Sequence, residues 1–327
     1  MNKYFIAVTC CIVIFIVSVP SFAIIFPGIS YLSDDQIMSQ LLPKGKVDIS
    51  AKIEYWSPYE EYIDNTAGAM QPLAANKSSY TLINIPIRVS YGLMKNLSLR
   101  FTTQYINRNV SWTDFNGRHL NFIGNGLGDA KIEMLYQIAK ETSDKPSIAV
   151  NVGADILTGK NYIALPNAAS DTSLDTGLWG PSYYLSGIFG KKCGNWNTKA
   201  MIGYIFLAAN KVGSWTWTMP NQLICSLMMS TKAGNDLEYG GELSAKFSGE
   251  ENWDIPPVWW IDPDAQGYTP LTRISIAPFV VWNQSADMSI KGMLEIPLAM
   301  KGSDSTADLN LNEFRGLNIS VGANWRI

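Results

Sequence analysis

Residues 47–55 read V-D-I-S-A-K-I-E-Y, an alternation that permits one kind of element. Val47, Ile49, Ala51, Ile53 and Tyr55 fall on one face of an extended chain, and Asp48, Ser50, Lys52 and Glu54 on the other. A helix would scatter these side chains around its surface, whereas a strand sorts them by parity. The pattern returns at 83–91, 97–105, 130–138 and 148–156, and further strands are predicted near 179–190, 196–207, 221–232, 236–247, 271–282, 287–298 and 315–327. The total is twelve. The links alternate in length. Short ones lie at 92–96, 139–146, 191–195, 233–235 and 283–286, and long ones at 57–78, 107–126, 157–178, 208–220, 248–270 and 299–312. Short turns at one end and long loops at the other predict an all-β, antiparallel up-and-down transmembrane barrel with periplasmic turns and extracellular loops.

Composition decides between this barrel and its competitors. Charged residues make up 16% and aromatics 12% of 327 residues, too apolar and aromatic for a disordered chain. Mean hydropathy is only +0.02, too low for a bundle of apolar helices. The uncharged stretch 212–231 is broken by Gly213, Pro220, Asn221 and Gln222. With 25 basic and 28 acidic residues there is no basic footprint, so nucleic acid is not an expected partner. A soluble sandwich could also use alternating strands, but the aromatics argue for lipid. Tyr55, Tyr80, Tyr105, Trp179, Tyr204, Phe206 and Phe247 lie near long loops. Tyr91, Tyr136, Phe189, Trp196, Tyr239, Trp282 and Trp325 lie near short turns. Two such belts suit the two water–lipid boundaries, with outer-membrane lipid as the partner.

The ends divide the chain. Residues 1–23, with Lys3, an apolar run and Pro20, Ser21 and Ala23, predict a cleaved signal peptide. Residues 24–44 form an N-terminal periplasmic segment. Its Ile24, Ile25, Phe26, Pro27, Leu41, Leu42 and Pro43 either enter the barrel as a plug or dock at its rim. The barrel itself is 45–327. Its last stretch alternates from Leu317 to Ile327, like the assembly signal read by the outer-membrane assembly machinery, although such strands usually end in an aromatic. Cys193 and Cys225 survive cleavage and leave one disulfide possible.

Parity assigns the lumen. Its candidate lining residues are Asp48, Lys52, Glu54, Arg88, Arg100, Lys131, Glu133, Asp155, Lys199, Glu238, Glu242, Lys246, Arg273, Lys291, Glu295 and Arg326, with Asp129 and Arg315 beside them. Rings of one sign would mark a charge-selective pore, whereas this near balance suggests paired charges in a narrow or partly filled lumen. Such pairs could equally serve only to hold the wall together. Trp215, Trp217, Trp253, Trp259 and Trp260 in the loops could fold over the mouth and admit apolar solutes, or pack among themselves. No cofactor or metal site is expected: one His, His119, excludes a histidine-based centre, and no zinc or haem spacing of Cys occurs.

Three segments carry a family resemblance. They are Gly126-Leu127-Gly128-Asp129 followed by AKIEMLYQI, Gly153 to Asn161 (GADILTGKN, with Leu157 where the family tends to have Pro), and Asp175-Thr176-Gly177 through Pro181 and Tyr183. These are similar to the MetA-pathway phenol-degradation family of bacterial outer-membrane proteins. The resemblance implies a barrel passing small hydrophobic or aromatic compounds, similar in role to channels for hydrophobic solutes, with no catalytic residues. The leading expectation is therefore a porin-like, non-enzymatic channel in the bacterial outer membrane with a small-molecule solute. A structural or surface-interaction barrel using loops 57–78 and 248–270 is the alternative. A barrel hydrolase ranks below both, because His119 has no Ser two residues beyond it.

Overall fold

A computed structural model describes residues 41–63, 69–72, 79–113, 119–159, 181–208, 210–212, 215–218, 221–248, 252–254, 272–301 and 314–327. Twelve strands form the wall: β1 (Val47–Ile63), β2 (Ser79–Met94), β3 (Leu97–Thr113), β4 (Ala130–Ala139), β5 (Ser147–Ile156), β6 (Ser182–Cys193), β7 (Trp196–Leu207), β8 (Gln222–Ala233), β9 (Leu237–Ser248), β10 (Thr272–Asn283), β11 (Met288–Lys301) and β12 (Phe314–Arg326). Each pairs antiparallel with its sequence neighbour. β12 then pairs with β1, from Asp48 opposite Arg326 to Glu61 opposite Phe314, and the cylinder closes. Closure removes the free edges that hydrocarbon would leave unsatisfied. Both ends of the wall meet on the turn side, where Val47 N donates to Ile327 O at 3.1 Å.

The turns follow local chemistry. Gly194 (φ 62°) and Asn195 alone connect Cys193 to its partner Trp196, and a positive φ suits a two-residue hairpin. Prolines mark interruptions in the ladders. Pro86 sits where β1–β2 pairing skips Lys52 and Ile53, and Pro278 where β10–β11 pairing skips from Ile276 to Phe279, since proline has no N–H to give.

The outer face is apolar and open. Ile53, Ile87, Phe101, Ile132, Leu185, Leu243, Val280 and Val321 are all exposed. Tyr55, Tyr105, Tyr183 and Phe206 stand exposed toward the loop end, and Tyr91, Tyr136, Phe189, Trp196, Tyr239, Trp282 and Trp325 toward the turn end. Phe247 has the outward parity but is buried, and Tyr204 is half-buried, unlike the exposed Tyr55, Tyr105 and Phe206. The side chain of Tyr80 and all of Trp179 lie outside the described residues.

Several loop expectations change. The link 107–126 is largely strand: β3 runs on to Thr113, and His119–Leu127 pairs back along it from Thr113–His119 to Tyr105–Leu127. β1 likewise extends to Ile63 and pairs with Ala69–Pro72. Asn210–Val212, Trp215–Thr218 and Asn252–Asp254 form a separate three-stranded sheet in which Trp217 opposes Trp253. Trp259 and Trp260 lie outside the described residues. Cys193 and Cys225 are both free, one exposed and one buried, so the disulfide left open by the sequence is not formed.

A clasp fixes the top of β4. Asp129 Oδ1 accepts from Thr158 N at 2.9 Å and Gly159 N at 2.8 Å. Thr158 Oγ1 donates to Gly128 O and accepts from Ala130 N, each at 2.9 Å. Two of the segments that carry the family resemblance thus meet in space. Just below the clasp the β4–β5 ladder ends at Ala130–Ile156. Asp129→Ala should strip the acceptor from two backbone donors and cost about 1–3 kcal/mol, read as a lower urea midpoint.

Candidate functional site: the barrel lumen

Side chains opposite in parity to the exposed apolar set point into the cylinder. All sixteen candidate residues, from Asp48 to Arg326, occupy this inward parity. Asp129 instead serves the clasp, and the side chain of Arg315 lies outside the described residues.

Four lumenal carboxylates share one arrangement. Glu133 on β4 accepts from Arg100 Nη1 on β3 at 3.4 Å and from Asn151 Nδ2 on β5 at 2.9 Å. Glu295 on β11 accepts from Arg273 Nη2 on β10 at 3.0 Å and from Asn318 Nδ2 on β12 at 3.4 Å. Glu54 pairs with Lys52 Nζ at 2.5 Å and accepts from Asn84 Nδ2 on β2 at 2.7 Å. Asp48 lies 3.7 Å from Arg326 Nε and accepts from Asn324 Nδ2 at 3.0 Å. Each acid therefore holds at least one cation and one asparagine. The Glu133 and Glu295 nodes each join three consecutive strands. Among the remaining acids, Asp155 accepts from Ser182 Oγ, and Glu238 accepts from Ser230 Oγ at 2.5 Å. Charges satisfied this way stiffen a wall and leave little field for ion selection.

Apolar side chains fill the space between these nodes. One buried cluster contains Leu135 from β4, Tyr184 and Ile188 from β6, Met201 from β7, Ile224 and Met228 from β8, Ala277, Phe279 and Val281 from β10, and Met293 from β11. It gathers residues from strands on opposite sides of the barrel. Leu41, which precedes β1, packs against it. Leu42 is buried beside it in sequence, and its N–H donates to Ser98 Oγ on β3 at 3.0 Å. A second cluster joins Trp56, Leu82 and Ile106 on β1–β3.

Two rings in the main cluster are seated alike. Tyr184 lies directly opposite Gly153, and Phe279 opposite Gly240. A Cβ on Gly153 would strike Tyr184 Oη and Cζ, and one on Gly240 would strike Met229 O and approach Phe279 Cζ. Each ring carries an ammonium on it: Lys131 Nζ is 4.6 Å from the Tyr184 centroid, and Lys291 Nζ 4.9 Å from that of Phe279. Glycine, ring and lysine form two stacks in which the ring covers bare backbone and the cation meets its π face. Gly153→Ala should displace Tyr184 and lower stability by about 1–3 kcal/mol, read as a lower urea midpoint. Adding Tyr184→Ala should make the cost of the pair less than the sum of the singles.

Sequence reasoning named the charged members but not their partners. Asn84, Asn151, Asn318 and Asn324, and the glycines under the rings, become meaningful only once register is known. His119 begins the strand that pairs with the top of β3 and faces Thr113 in that ladder. Among the described residues no group of His, Cys, Asp and Glu is arranged to hold a metal ion.

Comparison with solved structures places this geometry. The COG4313 outer membrane channel from Pseudomonas putida F1 superimposes with a TM-score of 0.65 at 14% identity, covering 88% of this chain and 97% of that one. The protein has the fold of a bacterial outer-membrane barrel. The transport unit of the autotransporter AIDA-I from Escherichia coli (TM-score 0.49, 6% identity, 90% and 93% covered) is a more distant likeness. So is a TodX mutant monoaromatic hydrocarbon channel (0.40, 9%, 90% and 94%). At these scores neither bears on function. No protein-family model matches the sequence, and no curated protein matches it either.

Proposed function

We propose that the chain is a passive outer-membrane channel for small hydrophobic or aromatic solutes. The carrying observation is the buried cluster from Leu135 to Met293, apolar packing on the inner side of a barrel whose outer side is already apolar. A water-filled pore would be lined by polar groups, whereas a weakly polar solute gains by leaving water for Met201, Met228, Met293 and the two rings. Methionine side chains adapt to solutes of different shape. The lumenal cations and acids are bound mainly to one another and to asparagine, so the reading assigns them to the wall and to lumen lining, and none to catalysis. Residues 24–44 serve as a periplasmic plug in this reading, supported by Leu41 against the cluster and the Leu42–Ser98 hydrogen bond. Residues 1–23 act as the export signal, and the β12 strand addresses the assembly machinery.

The test compares toluene uptake by Gram-negative cells with and without the chain. Uptake should rise several-fold with the wild type and return to background with Met228→Asp. Potassium chloride conductance in planar bilayers should stay far below that of a general porin. A large ionic conductance together with unchanged toluene uptake would overturn the reading.

A further inference from the structure

Among the described lumenal cations, Lys246 is one that the nodes above do not hold. Lys246 on β9 faces inward between Ile224 on β8 and Arg273 on β10. Arg273 is committed: its Nη2 donates to Glu295, and its Nε donates to Ser275 Oγ at 3.2 Å. The other charged neighbours of Lys246 are also engaged: Glu295 is the carboxylate that Arg273 holds, and Lys131 rests on the Tyr184 ring. Lys246 itself makes neither a hydrogen bond nor an ion pair among the described residues. The next inward position on β8 after Ile224 is Ser226, about 7 Å along the strand. Ser226 is 3% exposed, and its Oγ has no hydrogen-bond partner among the described residues. An ammonium and a hydroxyl, both short of partners, thus flank Ile224 at the edge of the apolar cluster, whose next inward member on β8 is Met228. Leaving such groups unmatched away from bulk water is unfavourable, and a ligand anion offsets that cost. A small hydrated ion would satisfy the ammonium but gain nothing from Ile224 and Met228.

We propose that this wall binds amphipathic monoanions, with a carboxylate held by Lys246 Nζ and Ser226 Oγ and an apolar body laid over Ile224 and Met228. The proposal rests on the channel reading and names a solute class for it. It assigns the lumen a recognition step that a purely greasy conduit would lack.

The test uses the refolded full chain in nanodiscs and an isosteric pair, 4-phenylbutyrate and 4-phenyl-1-butanol, with binding followed by calorimetry against empty discs. The acid should bind about tenfold tighter than the alcohol, the worth of one charge-assisted hydrogen bond. Lys246→Gln should remove that preference while leaving alcohol binding and the folded gel mobility unchanged, and Lys246→Arg should retain it. Binding of the alcohol with no preference for the acid, or a preference that survives Lys246→Gln, overturns this proposal and leaves the channel reading intact. If neither compound binds and toluene uptake is also unchanged, the channel reading falls with it.

Discussion

Glu133→Gln should destabilise the barrel by about 3–5 kcal/mol, because it leaves buried cations without their counter-charge. Glu133 is 4% exposed and Arg100 7%. Arg88, Arg100 and Lys131 all act on this carboxylate, and Asn151 donates to it. Neutralising it removes the acceptor charge of the Arg100 pair and weakens the bond that ties β4 to β5. The measurement is the urea midpoint of refolded protein in vesicles. Glu141→Ala is the control: this exposed acid sits 4.0 Å from Lys191 at a turn, and losing it should cost about 0–1 kcal/mol. A double variant, Arg100→Met with Glu133→Leu, should recover most of the loss, since a matched apolar pair replaces a matched ionic one. If Glu133→Gln and Glu141→Ala behave alike, the lumenal nodes do not hold the wall.

Leu185→Arg should cost about 2–4 kcal/mol, and Tyr183→Arg about 0–1 kcal/mol. Both residues are exposed on the outer face of β6. Tyr183 belongs to the loop-side belt and Phe189 to the turn-side belt, so Leu185 lies between them within the hydrocarbon. A buried guanidinium there must reach for a distant headgroup, whereas at position 183 it is already at the boundary. The sign discriminates the surroundings. On a protein bathed in water, replacing an exposed leucine by arginine would be neutral or favourable.

How much of this was legible depended on whether both faces of a strand meet different media. Within the hydrocarbon they do, and Val47 to Tyr55 declares its parity residue by residue. Above it both faces meet water, so the extension His119–Leu127 carries no apolar alternation, and 107–126 reads as a loop. Register across long links was also unreadable, because a slip of two residues preserves every face while changing every partner. Gly153 and Tyr184 are separated by such a link, so nothing local shows that one is the seat of the other. The asparagines were hidden for the same reason. Asn151 looks like any polar residue of alternate parity until β4 and β5 are aligned and Glu133 stands beside it. Composition hid the lumen's apolar character too: parity separates inward from outward cleanly only where charge marks the inward face, and β8 carries apolar residues on both.

Spin labels placed singly from Leu97 to Tyr105 on β3, with Cys193 and Cys225 replaced, test the inside-out arrangement most directly. Lipid-dissolved oxygen should relax labels at 97, 99, 101, 103 and 105 far more strongly than those at 98, 100, 102 and 104, a two-residue oscillation across the whole segment. A flat profile, or stronger oxygen relaxation at the even positions, would contradict the account.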